Sequence, residues 1–325
     1  MRQVTAVPGD SAAAGRVSRA SGPTPVTDHA LHLPFWPAVA FVLVWSSGYI
    51  AGPAAVRASA PFTVLGWRMA LAALIGTGLA LILRRRPRMS RATLVRVAGV
   101  GFVMNAVQFG LMYVAFALGL TATVSSLFHA MSPVLTALLA AALLHERLTW
   151  VQVGGFVLGV AGVLLVLGLD LGPVGGLAAV TLGALSMLML SLGTLGQRWI
   201  GGRPDLLWSA CLQFAISAPP LLVIGWVVEG PWPVTDVLTT AISVPYLAVV
   251  NSIVGLVLLA HLVVRGGSGA AASLFFLSPP VTAVMAWFVL DETMRPHQVI
   301  GLVVAVLGVG IATHPRAFQH RRLRS

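Results

Sequence analysis

Ser132–Val163 reads SPVLTALLAAALLHERLTWVQVGGFVLGVAGV, and Ser278–Val309 reads SPPVTAVMAWFVLDETMRPHQVIGLVVAVLGV. At an offset of 146 residues the two stretches match without a gap at Ser132/Ser278, Pro133/Pro279, Thr136/Thr282, Ala137/Ala283 and Ala140/Ala286. The match continues at Glu146/Glu292, Gln152/Gln298, Gly155/Gly301 and Gly162/Gly308. Both copies sit within long apolar runs, so the chain is a duplication built for an apolar solvent.

Composition agrees. Of 325 residues, 58% are hydrophobic and 9% charged, against about 25% charged in soluble domains. A spanning helix needs about 20 mostly apolar residues. Ten such runs can be cut, at 35–54, 61–83, 97–117, 121–143, 149–168, 174–197, 206–228, 241–264, 267–289 and 296–313. The expected fold is therefore all-α and integral to the membrane, with ten transmembrane helices. Residues 34–168 form one repeat and 172–313 the other. Residues 1–33, polar and without an apolar core, read as a disordered cytosolic tail. Residues 314–325 read as a short basic cytosolic tail.

All the basic residues are arginine, and the net charge is +11. Their placement points to a bilayer and not to nucleic acid. With both termini on one side, that side holds Arg2, Arg16, Arg19, Arg84, Arg85, Arg86, Arg88, Arg91, Arg96, Arg147, Arg198, Arg203, Arg265 and the four arginines of the C-terminal tail. The other side holds Arg57 and Arg295. The positive-inside rule then sets both termini in the cytoplasm of a cell-membrane protein. Five spans per repeat is an odd number, so the second repeat is inverted relative to the first. Inverted repeats with a site between them are a common plan of secondary transporters working by alternating access.

The two quoted segments, with Pro near mid-helix, Glu about 13 residues on, then Gln and a Gly-rich helix, resemble the EamA-type drug/metabolite transporter (DMT) superfamily over residues 35–313. The resemblance implies a ten-helix fold and export or exchange of amino acids, metabolites, drugs, sugars or nucleotide-linked sugars. It leaves the substrate open. Arg295-Pro296 replaces Thr149-Trp150 in the second copy, a departure confined to the link.

Several residues are expected to line or gate a central cavity. Pro133 and Pro279 remove a backbone donor near the centres of spans 4 and 9 and can bend them there. Ionisable groups inside spans are few and usually functional. Arg68 lies seven residues into span 2, placed either to snorkel outward or to meet a substrate carboxylate. His129 lies one turn before Pro133, as a satisfied histidine or as a substrate or proton contact. Asn105 and Asn251 share the 146-residue offset and suit interhelical hydrogen bonds or substrate contact, with Gln108 on the face of Asn105. Trp45, Tyr49 and Phe275 are candidates for an aromatic wall. Glu146, Gln152, Glu292 and Gln298 read as the structural motif of the repeat: each Glu opposes the dipole of the next helix, and Thr149 with Gln152 resembles a capping box. The glycines of spans 5 and 10 suit close helix packing, and the same face suits a homodimer contact.

The function expected is secondary transport, specifically export of a small uncharged or zwitterionic metabolite such as an amino acid. A multidrug or a sugar or nucleoside transporter of the same fold is the alternative. An integral-membrane enzyme lacks sequence support: there is no HExxH, no Gly-rich phosphate loop and no histidine cluster. The single cysteine, Cys211, excludes an internal disulfide. No metal and no cofactor are implied. The partners expected are the bilayer and a small molecule.

Overall fold

The computed structural model describes residues 34–145, 148–201 and 204–313. The two expected tails and Glu146 lie outside the described residues. Ten helices long and apolar enough to cross a membrane are present among those described: α1 Phe35–Ala58, α2 Pro61–Ile82, α3 Arg91–Ala117, α4 Ala122–Leu144, α5 Trp150–Leu167, α6 Gly176–Ile200, α7 Leu206–Glu229, α8 Val237–Gly267, α9 Ala271–Leu290 and α10 Pro296–Thr313. Helix α3 starts six residues before the expected apolar run. Ser90 caps it by accepting from Thr93 N at 3.1 Å, so the helix extends past its apolar stretch through Arg91 and Arg96. Helix α8 starts four residues early, capped by Asp236 at Thr239 N (3.1 Å), and runs through Pro245 to Gly267, whose φ of 80° ends it.

The packing is that of a protein dissolved in lipid. Leu74, Trp150, Val157, Leu164, Phe288 and Leu307 face outward, while Ser46, Ser125, Ser186, Ser191, Ser217 and Thr282 are fully buried. Without an aqueous hydrophobic drive, helices in a bilayer associate through small residues and polar contacts. Ser132 Oγ meets Ser191 Oγ at 3.1 Å, joining α4 to α6. Its repeat mate Ser278 Oγ meets Ser46 Oγ at 3.1 Å, joining α9 to α1. Helix α5 packs on α10 through glycines. A Cβ on Gly155 would lie 2.5 Å from Ala312 N, and one on Gly308 would lie 2.3 Å from Gly159 N. This face is used within the chain, so a dimer through it would have to displace the pairing.

The two prolines act differently. Pro133 sits inside a continuous α4. Pro279 follows a 3-10 turn at Leu274–Leu277 and opens the next α-helical stretch, Ser278–Leu290. The break in α9 therefore has no counterpart in α4.

One end of the bundle is sealed by two carboxylates. Glu229, ending α7, accepts from Phe62 N (2.7 Å), Thr63 N (2.8 Å) and Thr63 Oγ1 (2.7 Å) at the start of α2. Glu292, just after α9, accepts from Ala122 N (2.8 Å) and Thr123 Oγ1 (3.2 Å) at the start of α4. Glu292 thus caps a helix of the other repeat and not the next helix in sequence. The motif of the next helix is closed locally: Gln298 Oε1 accepts from Arg295 N (2.8 Å), and in the first copy Thr149 and Gln152 form a reciprocal capping box. Removing a capping side chain costs about 1 kcal/mol. Glu229→Ala and Glu292→Ala should each lower thermal stability in detergent by about that amount, additively in the double variant. Strong coupling between the two would show that the seal acts as one unit.

Candidate functional site

The helices crossing the middle of the bundle are not regular. Phe102–Val107 in α3 and Leu247–Val254 in α8 are π-helical. They occupy equivalent places in the two repeats, and they carry Asn105 and Asn251. A π turn widens the helix and re-aims its side chains, and such turns are frequent at functional sites. Here they turn two amides into the interior.

Arg68 on α2 points into the same interior and is 4% exposed. Its guanidinium donates through Nη1 to Tyr113 Oη (2.8 Å), through Nη2 to Asn251 Oδ1 (2.9 Å) and Ser252 Oγ (3.2 Å), and through Nε to Ser252 Oγ (3.3 Å). It lies 4.7 Å from the centre of the Phe109 ring. These partners are neutral. The one salt bridge among the described residues joins Arg85 to Asp205 at 2.9 Å, at the arginine-rich end. Of the five N–H groups of a guanidinium, four have these partners, and one Nη1 hydrogen remains for another acceptor. Arg68 does not snorkel; it is a buried cation held by neutral groups.

Asn251 is the hinge of this arrangement. Its Oδ1 takes Arg68, and its Nδ2 donates to Val44 O on α1 at 3.0 Å. The other repeat makes a neutral version: Asn105 Nδ2 donates to Gly101 O (3.2 Å) and reaches Gln213 Oε1 on α7 (3.5 Å). Gln213 lies one residue before Phe214, the position the 146-residue offset pairs with Arg68, so the two halves of the site form an approximate pair with the guanidinium on one side only.

His129 forms the roof. Ser186 Oγ donates to Gln108 O (3.0 Å), so its oxygen accepts from Gln108 Nε2 (2.9 Å). The second amide hydrogen of Gln108 faces His129 Nε2 (2.9 Å), which therefore accepts. That assigns the proton to Nδ1, which donates to Tyr49 Oη (2.7 Å). A proton arriving at Nε2 would have to turn the Gln108 amide, so protonation of this imidazole and the geometry of Gln108 are coupled.

These residues surround a cavity of about 510 Å³ that runs from Arg68, Asn105, Gln108, His129 and Asn251 to Arg198, Gly201 and Pro204 at the arginine-rich end. Trp45, Met104, Phe109 and Phe214 supply its apolar wall. A second hollow, of about 610 Å³, lies at the sealed end among Asp170, Glu292, Arg295 and His297. It is larger but remote from Arg68 and the amides, so the chemistry favours the first. Tyr49 is buried behind His129, outside the lining. Phe275 packs edge-on against Trp45 (4.8 Å) and Phe41 (5.2 Å) and does not reach the cavity; it lies in the 3-10 turn of α9. Sequence reasoning missed Tyr113, Phe109, Ser252 and Ser186. Phe109 and Tyr113 stand four and eight residues after Asn105, a helical spacing that could have found them. Ser186 carries no such signal.

The sequence profile described as the EamA-like transporter family matches residues 35–168 and again 177–313. "Uncharacterized transporter YvbV" of Bacillus subtilis is 27% identical, covering 88% of this chain and 91% of its own. An "S-adenosylmethionine/S-adenosylhomocysteine transporter" of Chlamydia trachomatis is 27% identical, covering 89% and 90%. A "Probable amino-acid metabolite efflux pump" of Salmonella typhimurium is 26% identical, covering 84% and 92%. A protein of known crystal structure shares the fold with a TM-score of 0.60 at 19% identity, over 89% of this chain and 98% of its own.

Proposed function

The chain belongs to the EamA-like transporter family, and from that premise we propose that it exports small carboxylate-bearing metabolites of the amino-acid type across the cell membrane. It is a multi-pass membrane protein and a secondary transporter of small metabolites. One observation carries the substrate reading: Arg68, a buried guanidinium without a carboxylate partner, lies at the inner end of the cavity with a hydrogen left to donate. A substrate carboxylate supplies the missing countercharge. The amides of Asn105, Gln108 and Asn251 orient the rest of the solute. The probable amino-acid metabolite efflux named for the Salmonella relative concerns solutes that can carry such a carboxylate. The sulfonium centre of S-adenosylmethionine, one of the two compounds named for the chlamydial relative, would meet no Asp or Glu among the described lining residues.

The direction rests on charge. The arginine-rich end faces the cytoplasm by the positive-inside rule, so the cavity opens inward while Glu229 and Glu292 hold the outer end shut. The inverted repeat supplies the opposite state by exchange of the two halves' conformations. His129 is the first candidate for proton exchange.

The test is flux of a pooled, labelled amino-acid and amino-acid-derivative set in proteoliposomes, with and without a pH gradient. Saturable flux of at least one carboxylate compound is expected. Flux confined to sugars or nucleosides would overturn the reading. Asn251→Leu should reduce flux at least about tenfold, since it removes a hydrogen bond to a charged group worth about 1.5–3 kcal/mol. Asn105→Leu should reduce it less, because Asn105 bonds only to neutral groups. Equal losses in the two would place both amides on the substrate.

A further inference from the structure

We infer that the cavity prefers net anions: a carboxylate on an apolar body whose amino group is absent or masked, as in a 2-oxo acid or an N-acyl amino acid. The inference rests on the proposed reading of the cavity as the transport site, and adds to it the charge of the substrate.

Among the described residues, the side chains lining the cavity include Arg68 at the inner end and no Asp or Glu. Arg68 has only neutral partners. A buried charge held only by neutral dipoles is poorly compensated, and in a membrane such a charge usually marks a substrate or ion path. An anion relieves it. An α-ammonium does not, because it travels within a few ångströms of the carboxylate it accompanies and so comes to lie close to the guanidinium. In a medium of low effective dielectric that repulsion is substantial. The groups available to an amino position are amide oxygens and hydroxyls, such as Gln213 and Ser209. The Gln213 amide N–H and the Ser209 hydroxyl can donate to an oxo group, and their oxygens can accept from an acylated N–H, but none of them neutralises an ammonium. Trp45, Met104, Phe109 and Phe214 then hold an apolar side chain.

An anionic substrate also accounts for the driving force. The spans carry no Asp or Glu in their central parts to act as an obligatory proton carrier. An anion leaving the cytoplasm needs none, because the interior-negative potential drives it out. Each 100 mV supports an outward concentration ratio of about fiftyfold for a monovalent anion.

The experiment compares leucine, N-acetyl-leucine and 4-methyl-2-oxopentanoate in proteoliposomes of the full chain, with and without a potassium–valinomycin potential. The two anions should move at least about tenfold faster than leucine, and their rates should rise with a potential that drives anions along the direction of flux. In Arg68→Gln the ratio between the anions and leucine should fall toward one. Leucine moving as fast as the anions, without dependence on potential, would overturn the inference and leave the transport reading standing. If none of the three moves through protein that unfolds cooperatively, the reading of the cavity falls and the inference with it. The wild-type series decides the matter even if the Arg68 variant does not fold.

Discussion

Arg68→Leu is expected to lower flux at least about a hundredfold while leaving the protein in the membrane with an undiminished melting temperature. The loss follows from removing the one charged group at the inner end of the cavity: a charge-assisted contact to a carboxylate is worth several kcal/mol when its partner is left buried, and about 2.7 kcal/mol is a hundredfold. The stability side is less intuitive. Tyr113, Asn251 and Ser252 lose a partner, but a desolvated cation goes with it, and replacing a buried charge by an apolar group is often neutral or stabilising. A structural anchor would behave in the opposite way, with flux and melting temperature falling together. Arg68→Lys should fall between wild type and leucine, because an ammonium keeps the charge but cannot reach Tyr113, Asn251 and Ser252 with one planar fork. Flux and thermal melts on the same preparations separate these outcomes.

The largest effect on folding is expected at Gly308. Its added Cβ would stand 2.3 Å from Gly159 N and 2.8 Å from Gly155 O. Both obstacles are backbone, so no side chain can swing aside, and α5 and α10 would have to move apart along their length. Overpacking typically costs about 1–3 kcal/mol, and a backbone clash belongs at or above the top of that range. Gly308→Ala should therefore destabilise by about 3 kcal/mol. Two residues on, Gly310 has nothing within 4 Å of its Cβ position. Gly310→Ala should be neutral or stabilising by up to about 1 kcal/mol through helix propensity. Gly155 and Gly154 form the same contrast on α5: the first would meet Ala312 N at 2.5 Å, and the second meets nothing. The chain carries its own reporter, since the single cysteine, Cys211, is buried. A thiol-reactive dye then reads unfolding without engineered labels. Similar melts for Gly308→Ala and Gly310→Ala would show that the two helices are not held at this distance by need.

The spans, the duplication and its inversion were legible because each rests on a property visible in one dimension: apolar length, an offset and an odd number of crossings. Span ends were less so. The cap at Ser90 and the arginines after it carry α3 beyond its apolar run, and Asp236 does the same for α8. The candidate site was legible as a set of residue types, and Arg68, Asn105, Gln108, His129 and Asn251 all line one cavity. Their arrangement was not legible. The π turns at Phe102–Val107 and Leu247–Val254 leave no mark in hydropathy, yet they set the direction of both asparagines. Glu292 illustrates the same limit. Its position at a helix end predicts a cap, but the capped helix is α4 of the other repeat, chosen by tertiary packing and not by neighbourhood in sequence. Phe275 reads in sequence as part of an aromatic wall, but it lies in the 3-10 turn before Pro279 and packs on Trp45 and Phe41.

The glycine seam between α5 and α10 obeys the chain's internal symmetry contact by contact. Gly155 abuts Gly308 O and Ala312 N, and its mate Gly301 abuts Gly162 O and Val166 N, the same pair moved by the repeat offset. An ancestral half-length gene whose product entered the bilayer in both directions would have met its upside-down twin along this seam. One glycine codon in it would have been tested twice in every assembled particle. Within one chain that constraint is gone: each half can change alone, as Arg68 and Phe214, 146 residues apart, already differ.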